Sequence, residues 1–159
     1  MPPVGRRADS IRSLRRLVGL PVRVGGVRAG AVADVVLDSA LGAAIGAVVD
    51  GGDGSLAFLP WASTVADGAG FAASTPTAML GRVELDYYLA RGVPLATVRT
   101  LSVEDAAGRR SSVADVLVTG DGRTWALELR RGGRVQVVPL GEATLDRAAG
   151  RLSLRRRAA

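Results

Sequence analysis

Val32-Ala33-Asp34-Val35-Val36-Leu37 returns later in the chain as Val113-Ala114-Asp115-Val116-Leu117-Val118, its first four residues unchanged. Both runs are dominated by β-branched and aliphatic residues, which suit a pleated, half-buried surface, so each reads as a strand. A second landmark travels with the first: Phe58-Leu59-Pro60-Trp61 corresponds to Val137-Val138-Pro139-Leu140. From the leading Val to the Pro is 28 positions in one copy and 26 in the other. Two landmarks at nearly equal spacing mark an internal repeat, and they make the 159-residue chain two copies of one small unit.

Strand and turn signals fill the interval in both copies. In the first, Val32 to Leu37 ends at Asp38-Ser39, Ala44 to Val49 follows, Gly51-Gly52-Asp53-Gly54 forms a hairpin loop, and Leu56 to Pro60 returns. In the second, Gly120-Asp121-Gly122 is a tight hairpin, since Asp-Gly accepts the positive φ angles required. Trp125, Leu127 and Leu129 alternate with Ala126, Glu128 and Arg130, as in a strand with one buried face. Arg131-Gly132-Gly133-Arg134 then turns the chain into Val135 to Leu140. The pattern predicts a mainly β fold of two tandem small barrels, closed or partly closed, joined by a short helical connection.

Helical signals are few. Ser10 is placed to cap a short turn through Ile11, Leu14 and Val18, which Gly19 and Pro21 stop. Gly81 to Arg91 predicts a helix ended by Gly92 and Pro94, with Val83 and Tyr87 on one face. The Gly/Ala/Ser/Thr-rich stretch from Ala66 to Pro76 is expected to begin the connection, and Glu142 to Ala149 to form a last short helix.

Composition narrows the chemistry. With no Cys and no His, disulfides, thiolate metal sites, the usual general base and the commonest metal ligand are all excluded. No catalytic residue, cofactor or metal site is therefore expected. All 21 basic residues are Arg, with no Lys or Asn, a bias that a GC-rich genome produces without selection for Arg chemistry. The charge sits at the ends: residues 1–20 and 146–159 each carry five Arg and one Asp, contributing +8 to a total of +6. The body between them is slightly acidic. No stretch reaches the roughly 18 apolar residues of a membrane span, and Leu17 to Val22 is too short for a signal peptide. A cytoplasmic protein is the expectation.

The first copy resembles the PRC-barrel family, named for the photosynthetic reaction-centre H subunit and shared by a ribosome maturation factor. The resemblance rests on Leu17-Val18-Gly19-Leu20-Pro21-Val22, then Gly30, Val32, Asp34, Val35, Leu37 and Asp38, then Ala44 to Val49 and Phe58-Leu59-Pro60-Trp61. It covers residues 13–73. The second copy, 94–145, lacks the Gly-x-Pro opening and has Leu140 in place of Trp61, so its assignment depends on the repeat. The resemblance implies two SH3-like barrels in tandem and a docking role without catalysis. On this reading residues 1–12 are a basic extension, 74–93 a linker with a short helix, and 146–159 an Arg-rich tail.

Individual residues carry two readings each. Asp34 and Asp115 invite a paired-carboxylate site, but a strand Asp bonded to neighbouring amides is the better reading, and Asp38 suits a turn. Phe58, Trp61 and Trp125 serve either the core, which is favoured, or an interface. Of the adjacent Tyr87 and Tyr88, a helix lets only one pack. Gly51 to Gly54 lacks the Lys and the following helix of a phosphate loop. The residues advanced for partner binding are Trp61, Tyr88, Arg155, Arg156 and Arg157. The leading function is a protein-binding adaptor, as a homodimer or an intramolecular pseudo-dimer. The alternative is an RNA- or ribosome-associated factor whose Arg-rich ends meet phosphate or another acidic surface.

Overall fold

The computed structural model describes residues 10–67, 69–73 and 75–155. The protein is mainly β. Its strands are β1 (Arg12–Ser13), β2 (Pro21–Val24), β3 (Val27–Leu37), β4 (Ala44–Asp50), β5 (Leu56–Pro60), β6 (Thr64–Asp67), β7 (Gly70–Ala73), β8 (Val93–Pro94), β9 (Ser102–Glu104), β10 (Arg110–Val118), β11 (Thr124–Arg131), β12 (Arg134–Pro139), β13 (Glu142–Asp146) and β14 (Arg151–Arg155). Among the described residues three α-helices accompany them: α1 (Leu14–Leu17), α2 (Arg82–Arg91) and α3 (Leu95–Val98).

The strands form two seven-stranded sheets of identical topology. One runs β5-β4-β3-β2-β7-β6 with β8 on β3; the other runs β12-β11-β10-β9-β14-β13 with β1 on β10. In both, the contact between the opening strand and the late strand is parallel (β2 with β7, β9 with β14) and the rest are antiparallel. Even the irregularities repeat. β3 slips register on β4 between Val32 and Asp34 and between Val36 and Leu37; β10 slips on β11 between Val113 and Asp115 and between Leu117 and Val118. Among the described residues no pairing joins β5 to β6 or β12 to β13, so neither hydrogen-bonded path closes on itself.

The two-residue leader of each copy crosses to the other sheet. Arg12 and Ser13 pair with Val118 and Leu117, and Val93 and Pro94 pair with Leu37 and Val36. A second seam is equally reciprocal: the Ala44 amide donates to the Gly122 carbonyl at 2.8 Å, and the Thr124 amide to the Gly42 carbonyl at 2.9 Å. Gly122 is required there. At φ +88° its missing Cβ would stand 2.8 Å from Trp61 Nε1, so a side chain would force apart the seam it lies in. One apolar core results, with Leu14, Val35, Leu37 and Leu59 from the first half and Val116, Val118, Leu127 and Leu152 from the second.

Four expectations change. Of the stretch from Ala66 to Pro76, expected to begin the connection, residues 66–67 end β6 and residues 70–73 are β7, with Phe71 buried in the core. Residues 142–146 are a strand rather than a helix, because they pair along β14 from Glu142–Arg155 to Asp146–Arg151. The segment read as a tail is structural over Arg151–Arg155, where β14 lies between β9 and β13 and buries Leu152 completely. Ser13, not Ser10, caps the first helix, its Oγ accepting from the Arg16 amide at 3.2 Å.

Candidate functional site

The repeated aspartates are clasps between the two halves. Asp115 is buried, and its carboxylate accepts from the Val116 amide (2.8 Å), the Arg15 amide (2.9 Å) and the Ser13 hydroxyl. It thereby satisfies orphan donors at the start of α1, which packs on β10 of the other copy. Asp34 does the same for α3, accepting from Val35 (2.8 Å) and Ala96 (3.4 Å). Pro94, the N-cap of α3, has no side-chain acceptor of its own. Partial burial raises the Asp34 pKa above the ordinary carboxylate value, and bonds from the Val35, Ala96 and Leu95 amides pull it back. The two carboxylates serve different helices and do not converge. Asp38 makes the expected turn, accepting from Ala40 and Gly42.

Concave surface is limited. A hollow of about 350 Å³ lies against Ser111, Leu129, Arg131, Arg134 and Gln136, and a smaller one of about 190 Å³ against Arg15, Asp34, Ala96 and Arg99. Among the described residues no three His, Cys, Asp or Glu side chains group to hold a metal, and no helix is long and apolar enough to cross a membrane.

Three exposed large apolar side chains, Trp125, Val135 and Val137, belong to one strand pair of the second sheet, while Val27, Val65 and Val83 are exposed elsewhere. In the first sheet the corresponding face is covered: Val36, Val48 and Phe58 pack with Leu85 of α2, flanked by Ile45, Leu56, Leu80, Tyr88 and Leu89. The equivalent positions in the second sheet, by strand register, are Leu117, Glu128 and Val137, with Trp125 at the place of Ile45 and Val135 at that of Leu56. Trp125 is 50% exposed, Val135 51% and Val137 46%, whereas Phe58 is 0%. Gly46 makes part of the difference: a Cβ there would come 2.3 Å from Phe58 Cζ, so glycine lets the ring lie on the sheet, while the second copy has Ala126 at that place and the smaller Val137 at that of Phe58.

The proposed contact residues fall apart in space. Trp61 is buried, edge-on to Phe71 at 5.3 Å with Nε1 donating to the Gly120 carbonyl, and presents no contact surface. Tyr88 stacks on Phe58 at 4.3 Å, so it is the packed tyrosine. Tyr87 is the exposed one, under the Arg91 guanidinium at 3.8 Å, and Val83 on the same helix is exposed too. Arg155 closes β14; its side chain, Arg156 and Arg157 lie outside the described residues. Other basic groups near that end are engaged: Arg147 donates to the Gly92 carbonyl at 2.8 Å and Arg151 lies 3.8 Å from Glu104. Trp125 was expected in the core with Leu127 and Leu129. It is outside because it is the extra residue of the bulge opposite Leu117 and Val118, which turns it off the face of Leu127. Its equivalence to Ile45 is the signal that finds it. No family model matches the chain, and no curated protein matches it.

Proposed function

We propose that this chain is a non-catalytic, PRC-type adaptor that binds a protein partner through the outer face of its second sheet. The observation that carries the reading is the exposed group Trp125, Val135 and Val137 on a strand pair whose counterpart in the same molecule is covered. An exposed Trp on a rigid sheet, with apolar neighbours beside it, is a common anchor of an interface. The identical strand order of the two sheets, the matching bulges of β3 on β4 and β10 on β11, and the reciprocal leaders support the tandem small-barrel reading.

A photo-reactive phenylalanine analogue placed at Val137 of the full chain, expressed in its own host, tests this. The expected result is one defined protein adduct from Val137 that is absent when the analogue stands at Val27, which is 71% exposed on the first sheet. Equal labelling from both positions, or no protein adduct from Val137, removes the adaptor reading.

A further inference from the structure

The first copy contains its own occupant for this face. Leu80 bridges the free edge of β5, its amide donating to the Phe58 carbonyl at 2.8 Å and its carbonyl accepting from the Phe58 amide at 2.9 Å. Directly after it, α2 lays Leu85, Tyr88 and Leu89, at i, i+3 and i+4, over Val36, Val48 and Phe58. The second copy presents the same receptor. Val137 faces Glu128 in register as Phe58 faces Val48, so its amide and carbonyl point away from β11 as those of Phe58 do. Among the described residues β12 pairs with β11 alone.

The two receptors differ in charge. At the hairpin end of the face the first copy has Asp50 and the second has Arg130, while Arg131 and Arg134 line the hollow on the opposite side with Leu129 and Gln136. Arg130 stands opposite Val135, on the outer face itself. Arg123 is exposed at the start of the same strand, where the first copy has Ala43. Glu128 lies on the same face, and Asp121 stands 3.7 Å from Arg123. With Arg131 and Arg134 in the adjoining hairpin, this end of the sheet is net basic beside an apolar centre, which suits an acidic amphipathic segment.

We infer that the second sheet docks an acidic amphipathic helix of a partner protein, led by one extended residue that bridges the β12 edge at Val137, as Leu80 and α2 occupy the first sheet. The inference rests on the adaptor reading and names its partner class. Trp125 and Val137 form the floor, Arg130 stands at its hairpin end, and the docked helix offers apolar residues at i, i+3 and i+4 with carboxylates beside them.

The probe is a fluorescein-labelled peptide of residues 78–91, used as such and with Arg82→Glu and Val83→Glu, both changes at positions exposed in α2. The full-length protein is titrated into each and anisotropy recorded. Saturable binding is expected, tighter for the acidic peptide by several-fold at low ionic strength and converging at high salt. Val137→Asp in the protein should weaken it about tenfold or more, since it removes one buried aliphatic contact. Val27→Asp should leave it unchanged, and far-UV circular dichroism reports whether each variant is folded. No saturable binding of either peptide, undiminished binding to a folded Val137→Asp protein, or equal binding of a scrambled acidic peptide overturns the helix class. A Val137 adduct that persists in that case keeps the adaptor reading, with a partner of another shape.

Discussion

Asp34 and Asp115 occupy one position of the repeat and make the same kind of bond, yet their surroundings give them different energetic weight. Asp115 is 2% exposed and holds three donors, two of them from the other copy. Asp115→Ala leaves the Ser13 hydroxyl and the Arg15 amide without their acceptor and is expected to cost about 2–4 kcal/mol of stability in urea unfolding. A loss below about 1 kcal/mol would mean water replaces the carboxylate freely. Asp34 lies at the edge of a hollow it shares with Arg15 and Arg99, and burial raises its folded-state pKa. The folded protein therefore keeps a proton there at pH values where the unfolded chain has released it. Stability falls as pH rises from the unfolded to the folded value and is level above. Asp34→Asn should abolish this fall, so the variant gains on the wild type as pH climbs above the ordinary carboxylate value. Parallel stability curves would contradict it. Asp53, Asp105 and Asp121, whose pKa values are lowered chiefly by hydrogen bonds, act in the opposite direction and at lower pH.

At the scale of elements, β14 is the clearest departure from what the chain suggests. Leu152 is fully buried between β9 and β13, so Leu152→Ala should cost about 2–5 kcal/mol, measured by the urea midpoint. Removing residues 151–159 should go further and abolish the folded state of the second sheet, as judged by circular dichroism; retention of a native spectrum would return the segment to a tail. The strand was obscured because Arg151, Ser153 and Arg155 run into two more arginines, and a basic cluster outweighs two alternating leucines in a short window. Its pairing partners are also distant in sequence, with Val103 opposite Leu152. The repeat strands were legible because β-branched runs and turn residues are local signals. Residues 142–146 were not, since Glu, Ala and Leu favour a helix until cross-strand pairing overrides them. The same limit applies to the candidate site. A single-residue bulge decides which way Trp125 points, and alternation alone places it in the core.

For the whole molecule, the exchange of leaders makes two similar sheets into one body. β1 and α1 belong to the first copy in sequence but pair with or pack on β10, and β8 and α3 belong to the second but attach to β3. Neither copy can be excised with its leader in place without stripping the other of a strand and the buried leucines that follow it, Leu14 and Leu17 or Leu95. The shared core carries the same implication, since its residues alternate between the halves. Unfolding should therefore be one transition. In a Trp125→Phe background Trp61 is the sole tryptophan, a reporter on the first sheet whose indole touches the second through Gly120. Leu152→Ala, made entirely in the second sheet, should then shift the Trp61 fluorescence midpoint by the same amount as the far-UV circular dichroism midpoint. Gly122→Ala should also shift both together, because the added methyl meets Trp61 across the seam. If Leu152→Ala leaves the Trp61 transition in place while circular dichroism moves, the two sheets are separate folding units and the reciprocal leaders are no more than surface contacts.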